Sequence, residues 1–131
     1  MPDALVKAAQ AEGQIMVYSS EDEATQRQTL AAFEKKYGIA VEVLNVRASE
    51  LEERIRTENA AGRFIGDVMQ HGQASTTRMF RAGFVQEHGG APNMANMIEG
   101  QPAEPQQAGS LITAYAIMVN SNLVKPEDDP R

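Results

Sequence analysis

Ile15-Met16-Val17-Tyr18-Ser19-Ser20-Glu21-Asp22 sets the unit that the rest of the chain repeats. An apolar run rich in β-branched residues, Ile15 to Tyr18, stops at two hydroxyls and two carboxylates, and a helical pattern follows. A short run of this kind predicts a buried strand. A helix that starts straight after it turns its unpaired N–H groups back toward the strand's carboxyl end, which makes a small ligand-binding corner. The chain repeats this strand-then-helix unit on the carboxyl side and leads into it on the amino side.

Ahead of the strand, Asp3 to Glu12 predicts a lead-in helix capped by Asp3, with Leu5, Val6 and Ala9 as its apolar face and Gly13 as its stop. Behind it, a helix is expected from about Glu23 to Tyr37, with Leu30, Phe33 and Tyr37 on one face and Gly38 as terminator. Ile39 to Val46 predicts strand two. Ser49 then caps a helix, Glu52 closes a capping box three residues on, Leu51 and Ile55 form its buried stripe, and Gly62 ends it. Its remaining face (Glu50, Glu53, Arg54, Arg56, Glu58) reads as solvated charge. Phe64 to Gln70 predicts strand three, followed by a second polar corner, His71-Gly72-Gln73-Ala74-Ser75. There Ser75 is expected to cap a helix that runs through Phe80 and stops at Gly83. Gln86 to Gly109 holds Gly89-Gly90, three prolines and four glutamines, and reads as a surface connection with one helical turn near Asn93 to Ile98. Leu111 to Val119 predicts a later strand, and Lys125 to Arg131 a polar tail.

Strand alternating with helix predicts an α/β fold with a mostly parallel sheet. If the winding reverses, right-handed crossovers put strands two and three on either side of strand one, order 2-1-3, with the later strand beyond and helices on both faces in three layers. The ligand crevice then lies at the winding reversal, beyond the carboxyl ends of strands one and three. The candidate ligand residues are therefore Ser19, Ser20, Glu21 and Asp22 from one corner and His71, Gly72, Gln73 and Ser75 from the other. Ser19 and Ser20 can hydrogen-bond an oxyanion or serve as a helix cap. Glu21 and Asp22 can bind a hard cation or an amine, or stabilise the positive end of the next helix. His71 faces the crevice, whereas His88 beside Gly89-Gly90 reads as solvated.

Composition narrows the function. The chain has 131 residues and a net charge of −6, which argues against a nucleic-acid partner. No apolar run is long enough to span a bilayer. Absence of cysteine excludes disulfides and thiolate metal sites. Met1-Pro2-Asp3 opens no signal peptide, so the expectation is a cytosolic protein or a mature form without its export signal. Phosphate-binding Gly-x-x-x-x-Gly-Lys, Gly-x-Gly-x-x-Gly, Gly-x-Ser-x-Gly and His-Glu-x-x-His are all missing, so no enzyme activity and no resident cofactor are expected.

The segments "AAQAEGQIMVYSS", "FEKKYGIAVEV", "LEERIRTENAAGRFIGDV", "RAGFVQEH" and "ITAYAIMVNSNLVKPEDDP" resemble, in order and spacing, the periplasmic solute-binding proteins of ABC importers. The branch they resemble is the ferric-iron-binding group, with the type II periplasmic-binding fold. The resemblance implies that residues 1–131 correspond to most of the N-terminal lobe, without the return segment and the second lobe. It implies a periplasmic location, delivery of a small solute to the importer's membrane subunits, and no chemistry. Aligned with the iron-binding members, Asp22 falls near the position of their histidine ligand and Gly72 near that of their glutamate. Asp22 is thus the candidate metal ligand for transported Fe³⁺, and an anionic or phosphorylated organic solute is the other candidate cargo. The runner-up is an effector-sensing domain of a transcription regulator, which shares the fold. The missing return segment exposes apolar strand edges near Leu111 to Val119 and leads to an expected homodimer.

Overall fold

A computed structural model describes residues 3–89, Asn96, 103–104 and 107–109. Elements run in the order α1 (Asp3–Glu12), β1 (Gln14–Ser19), α2 (Glu23–Tyr37), β2 (Ala40–Asn45), α3 (Ala48–Ala60), β3 (Val68–Gln70) and α4 (Gln73–Arg81). Two further two-residue strands, β4 (Ala103–Glu104) and β5 (Gln107–Ala108), pair antiparallel with each other, apart from the main sheet. The expected later strand Leu111 to Val119, the turn near Asn93 to Ile98 except Asn96, and the tail lie outside the described residues.

The main sheet is parallel, in the order β2-β1-β3. Gln14 to Ser19 face Ala40 to Asn45 on one side, and Val17, Tyr18 and Ser19 face Val68, Met69 and Gln70 on the other. Alternation along β1 sends Val17 and Ser19 to one face and Tyr18 to the opposite one. All three are buried, so both faces of the central strand are covered. On the Val17 face, Gln26 of α2 reaches Gln70 and Asn45. On the Tyr18 face, Glu58 of α3 meets the tyrosine hydroxyl. Helix, sheet, helix makes three layers, as the order of elements predicts. Leu51 of α3 and Met79 of α4 are fully buried and complete a small core with Val17, Tyr18 and Ile39.

Strand β3 is shorter than its apolar run. Only Val68 to Gln70 are strand, whereas Phe64 is 77% exposed and Ile65 is exposed too. Asp67 explains the late start, because its carboxylate accepts the Met16 N–H at 2.8 Å while its own N–H donates to the Met16 carbonyl at 3.0 Å. A side chain takes the place of the first ladder bond. Gly66 crosses the face of Tyr18 at this point, and a Cβ there would lie 2.9 Å from the ring.

Two expected helix caps are corrected. Helix α3 begins at Ala48 behind Arg47, with no side-chain cap, so Ser49 does not cap it and Glu52 closes no box. Helix α4 begins at Gln73 behind Gly72, which places Ser75 inside its first turn rather than at the cap. The chain turns early in both places because the preceding residues, Arg47 (ψ 151°) and Gly72 (ψ 142°), are already extended as an N-cap requires. At the other end the expected stops hold. Gly83 takes φ +79°, and Phe84 N–H reaches back to the Met79 carbonyl at 3.0 Å, closing the left-handed turn that glycine permits. Leu5, expected on the apolar face of α1, is exposed.

The charged face of α3 is also corrected, because Glu58 is only 6% exposed. The Tyr18 hydroxyl lies 2.9 and 2.8 Å from its two carboxylate oxygens, and Arg54 Nε donates to Glu58 at 2.7 Å. Helical periodicity did place Glu58 seven residues after Leu51, hence on the same stripe, where an acid is tolerated only with such partners.

Candidate functional site

The sheet order brings the two polar corners together. Register alignment of Ser19 with Gln70 makes residues 20 and 71 the first past the carboxyl ends of adjacent strands. Ser20 N–H donates to the Gln70 carbonyl at 3.3 Å, continuing the ladder by one bond. Beyond it, Ser20 Oγ and His71 Nδ1 are hydrogen-bonded at 2.8 Å.

The expected ligand residues divide by position. Ser19 is fully buried, and its Oγ accepts the Glu21 N–H at 3.1 Å, so it holds the turn. Ser20 is half-buried beside His71. Glu21 is half-buried, with its carbonyl accepting from Asn45 Nδ2 at 2.8 Å. Asp22 is exposed, and its carbonyl accepts the Gln26 N–H that opens α2. Gly72 accepts the N–H groups of Ser75 and Thr76, both at 3.0 Å, and Gln73 is exposed on the first turn of α4. Ser75 Oγ accepts from Arg78 Nη2 at 2.8 Å.

Glu52 joins this group from α3. It takes Arg78 Nη2 at 2.7 Å and stands 3.5 Å from His71 Nε2. The latter separation is too long for a good hydrogen bond. A hydrogen bond from the Ser75 hydroxyl, reinforced by Arg78, holds the Glu52 carboxyl below its ordinary value against the opposing effect of burial. The His71 side chain is only 3% exposed, and its Nε2 has no hydrogen-bond partner. A buried polar atom left this way is uncommon, and here it faces a carboxylate. Behind this layer, Gln26, Gln70 and Asn45 form a supporting chain, at 3.0 Å from Gln26 Nε2 to Gln70 Oε1 and 3.3 Å from Asn45 Nδ2 to Gln26 Oε1.

Glu52, Arg78 and the amide chain are what sequence reading missed. Glu52 carried a signal, since Ser49-x-x-Glu52 is a capping-box pattern, but the same acid three residues into a helix is also free to reach across a crevice. Arg78 carried none beyond its place on an amphipathic helix.

A concavity of about 350 Å³ lies between α2 and the edge strand β2. Leu30, Ala31, Val41 and Val43 line it, with Glu23, Arg27 and Glu34 at the rim. Glu34 accepts the outward Val41 N–H at 2.8 Å, and Arg27 pairs with Glu23. These groups satisfy one another, so the groove offers room without convergent chemistry, whereas polar groups converge around Ser20 and His71.

Among the described residues no group of three or more His, Cys, Asp or Glu is placed to hold a metal ion, and no helix is long and apolar enough to cross a membrane. No protein-family model and no curated protein matches the chain.

Proposed function

We propose that this chain is the N-terminal lobe of a periplasmic solute-binding protein that captures a small solute in the crevice between the β1–α2 and β3–α4 corners. The observation that supports this reading most is the Ser20–His71 hydrogen bond. It joins two corners 51 residues apart at the point where the strand order reverses, which is where open α/β sheets bind ligands. The N-termini of α2 and α4 both follow these corners and favour negative charge nearby. Hydroxyls, an imidazole and helix N-termini suit an anionic or phosphorylated organic solute. Fe³⁺ would instead use the carboxylates Glu21 and Asp22, and so is the second candidate cargo.

In this reading the chain does no chemistry. It hands its solute to the membrane subunits of an ABC importer, after a second lobe closes over the crevice by hinge motion. The homodimer expected from Leu111 to Val119 belongs to the same proposal. Light scattering on an eluting size-exclusion peak tests it, and the mass of a single chain would remove it.

A thermal-shift screen tests the solute reading. The chain is heated with phosphorylated sugars, phosphonates, small carboxylates or Fe³⁺, each up to tens of millimolar. Stabilisation follows RT ln(1 + [L]/Kd), so even a ligand of millimolar Kd raises the transition measurably at about a thirtyfold excess, where the gain is about 2 kcal/mol. A selective rise with one class supports the reading, and a flat response across all classes removes it.

A further inference from the structure

We infer that the crevice takes up an oxyanion together with one proton, which lodges on His71 and reverses its hydrogen bond with Ser20. This rests on the crevice reading above and adds its linkage to pH.

The direction of the Ser20–His71 bond follows from what surrounds the ring. His71 Nε2 faces Glu52 Oε1 at 3.5 Å, and Glu52 is held ionised by Ser75 and Arg78. A neutral ring with its lone pair on Nε2 would aim that pair at a carboxylate. The neutral ring therefore carries its hydrogen on Nε2, and Nδ1 accepts the Ser20 hydroxyl hydrogen across 2.8 Å. In that state Ser20 shows only lone pairs to the crevice, which repels an oxyanion and suits a donor.

Protonation changes both ends of the ring. Nδ1 becomes a donor to Ser20 Oγ, which frees the serine hydrogen to point at an oxyanion. Nε2–H remains toward Glu52, now as half of an ion pair, so the atom without a partner gains a reason for its position. The ring's side chain is 3% exposed, so the new charge is poorly screened and is felt within the crevice. The charged groups nearest it are Glu52 on α3 and, through Glu52, Arg78 on α4, and Glu21 and Asp22 follow Ser20 in the β1–α2 turn. Three acids and one base would oppose an anion, and the proton on His71 moves that balance in its favour. By reciprocity an anion must then favour the proton as strongly as the proton favours the anion.

Sulfate is the probe, because it stays doubly charged across the whole range used. Calorimetric titration of the chain from pH 5.5 to 8, in buffers of different ionisation enthalpy, is expected to show proton uptake approaching one per sulfate. Affinity is expected to fall by up to tenfold per pH unit at the alkaline end. NMR gives a second readout, since His71 and His88 are the only histidines. Sulfate should move the His71 titration to higher pH and leave that of His88 in place. In His71→Asn the amide occupies the Nδ1 position, and sulfate binding should lose its pH dependence. Saturable sulfate binding at Ser20 to Glu23 and His71 to Ser75, with flat affinity, no proton uptake and an unmoved His71 titration, would overturn the proton linkage alone. No saturable binding at any pH, or binding elsewhere, would overturn the linkage and the crevice reading together.

Discussion

Helix α3 places two acids against the same sheet, and they live in opposite conditions. Glu58 lies under the sheet with every polar neighbour matched: Tyr18 donates to it, Arg54 brackets it, and Gly66 leaves room for the tyrosine ring. Glu52, six residues earlier and about 9 Å along the helix, stands at the mouth among Ser75, Arg78 and a histidine whose Nε2 has no partner. The closed cluster holds the fold and has nothing left to offer. The open one is incomplete, and incompleteness at a strand's carboxyl end marks where a ligand would do the completing. A buried polar group is therefore informative less by its type than by whether its hydrogen bonds add up.

The largest effect is expected from cutting the closed cluster. Tyr18→Phe leaves the buried Glu58 carboxylate with Arg54 alone and should destabilise the chain by about 1–3 kcal/mol in urea unfolding. Adding Glu58→Leu should recover part of this loss, since an apolar pair strands no charge and Arg54 can reach water. Additive losses in the double variant would show that the two residues do not act as a unit. Gly66→Ala should cost about 1–3 kcal/mol by pushing the Tyr18 ring, with no effect on sulfate binding. A sulfate defect there would merge the two regions.

The two clusters should also separate by pH. Burial, aided by Glu58 and offset by Arg54, raises the Tyr18 phenol above its ordinary 10.0. Its neutral form is favoured in the fold, so the associated stability is complete below pH 10 and is lost as pH rises through the raised value. Glu52 is shifted the other way. Its ionised form is favoured, so that contribution is present above its ordinary 4.5 and is lost as pH falls through the lowered value. Melting temperature followed from pH 2 to 11 should therefore lose its alkaline limb in Tyr18→Phe and part of its acid limb in Glu52→Gln. Exchanged limbs would contradict the assignment.

The smallest effect is expected at the open cluster. His71→Leu removes a buried nitrogen with no partner, and Ser20 is half-exposed and can turn to water. Stability should change by less than about 1 kcal/mol, or rise, while sulfate binding is lost. A loss as large as that of Tyr18→Phe would make His71 a structural residue.

The fold was legible because its signals were local and mutually consistent. Ile15 to Tyr18, the glycines after each helix and the helix–strand alternation dictate the elements, and right-handed crossovers with reversed winding give the order 2-1-3 that the sheet adopts. Strand three was overextended because Phe64 and Ile65 look like strand, whereas the Asp67 carboxylate takes over the first pairing position. Of the site, the two corners were legible as polar breaks after apolar runs. The acid between them was not, because Glu52 satisfied a local pattern that the backbone does not use. Glu58 was likewise hidden, since a charge on a helix is solvated by default unless a partner such as Tyr18 waits below it. Long-range polar pairing is the part that sequence spacing cannot express.

The corner joined by Ser20 and His71 is proposed as the place where this chain meets its ligand, and amide chemical-shift mapping during titration with a phosphorylated sugar at pH 6 tests that proposal. Saturable shifts concentrated at Ser20 to Glu23 and at His71 to Ser75 are the predicted result. Shifts centred instead on Leu30, Val41 and Val43 in the α2–β2 groove, or none that saturate by tens of millimolar, would contradict it.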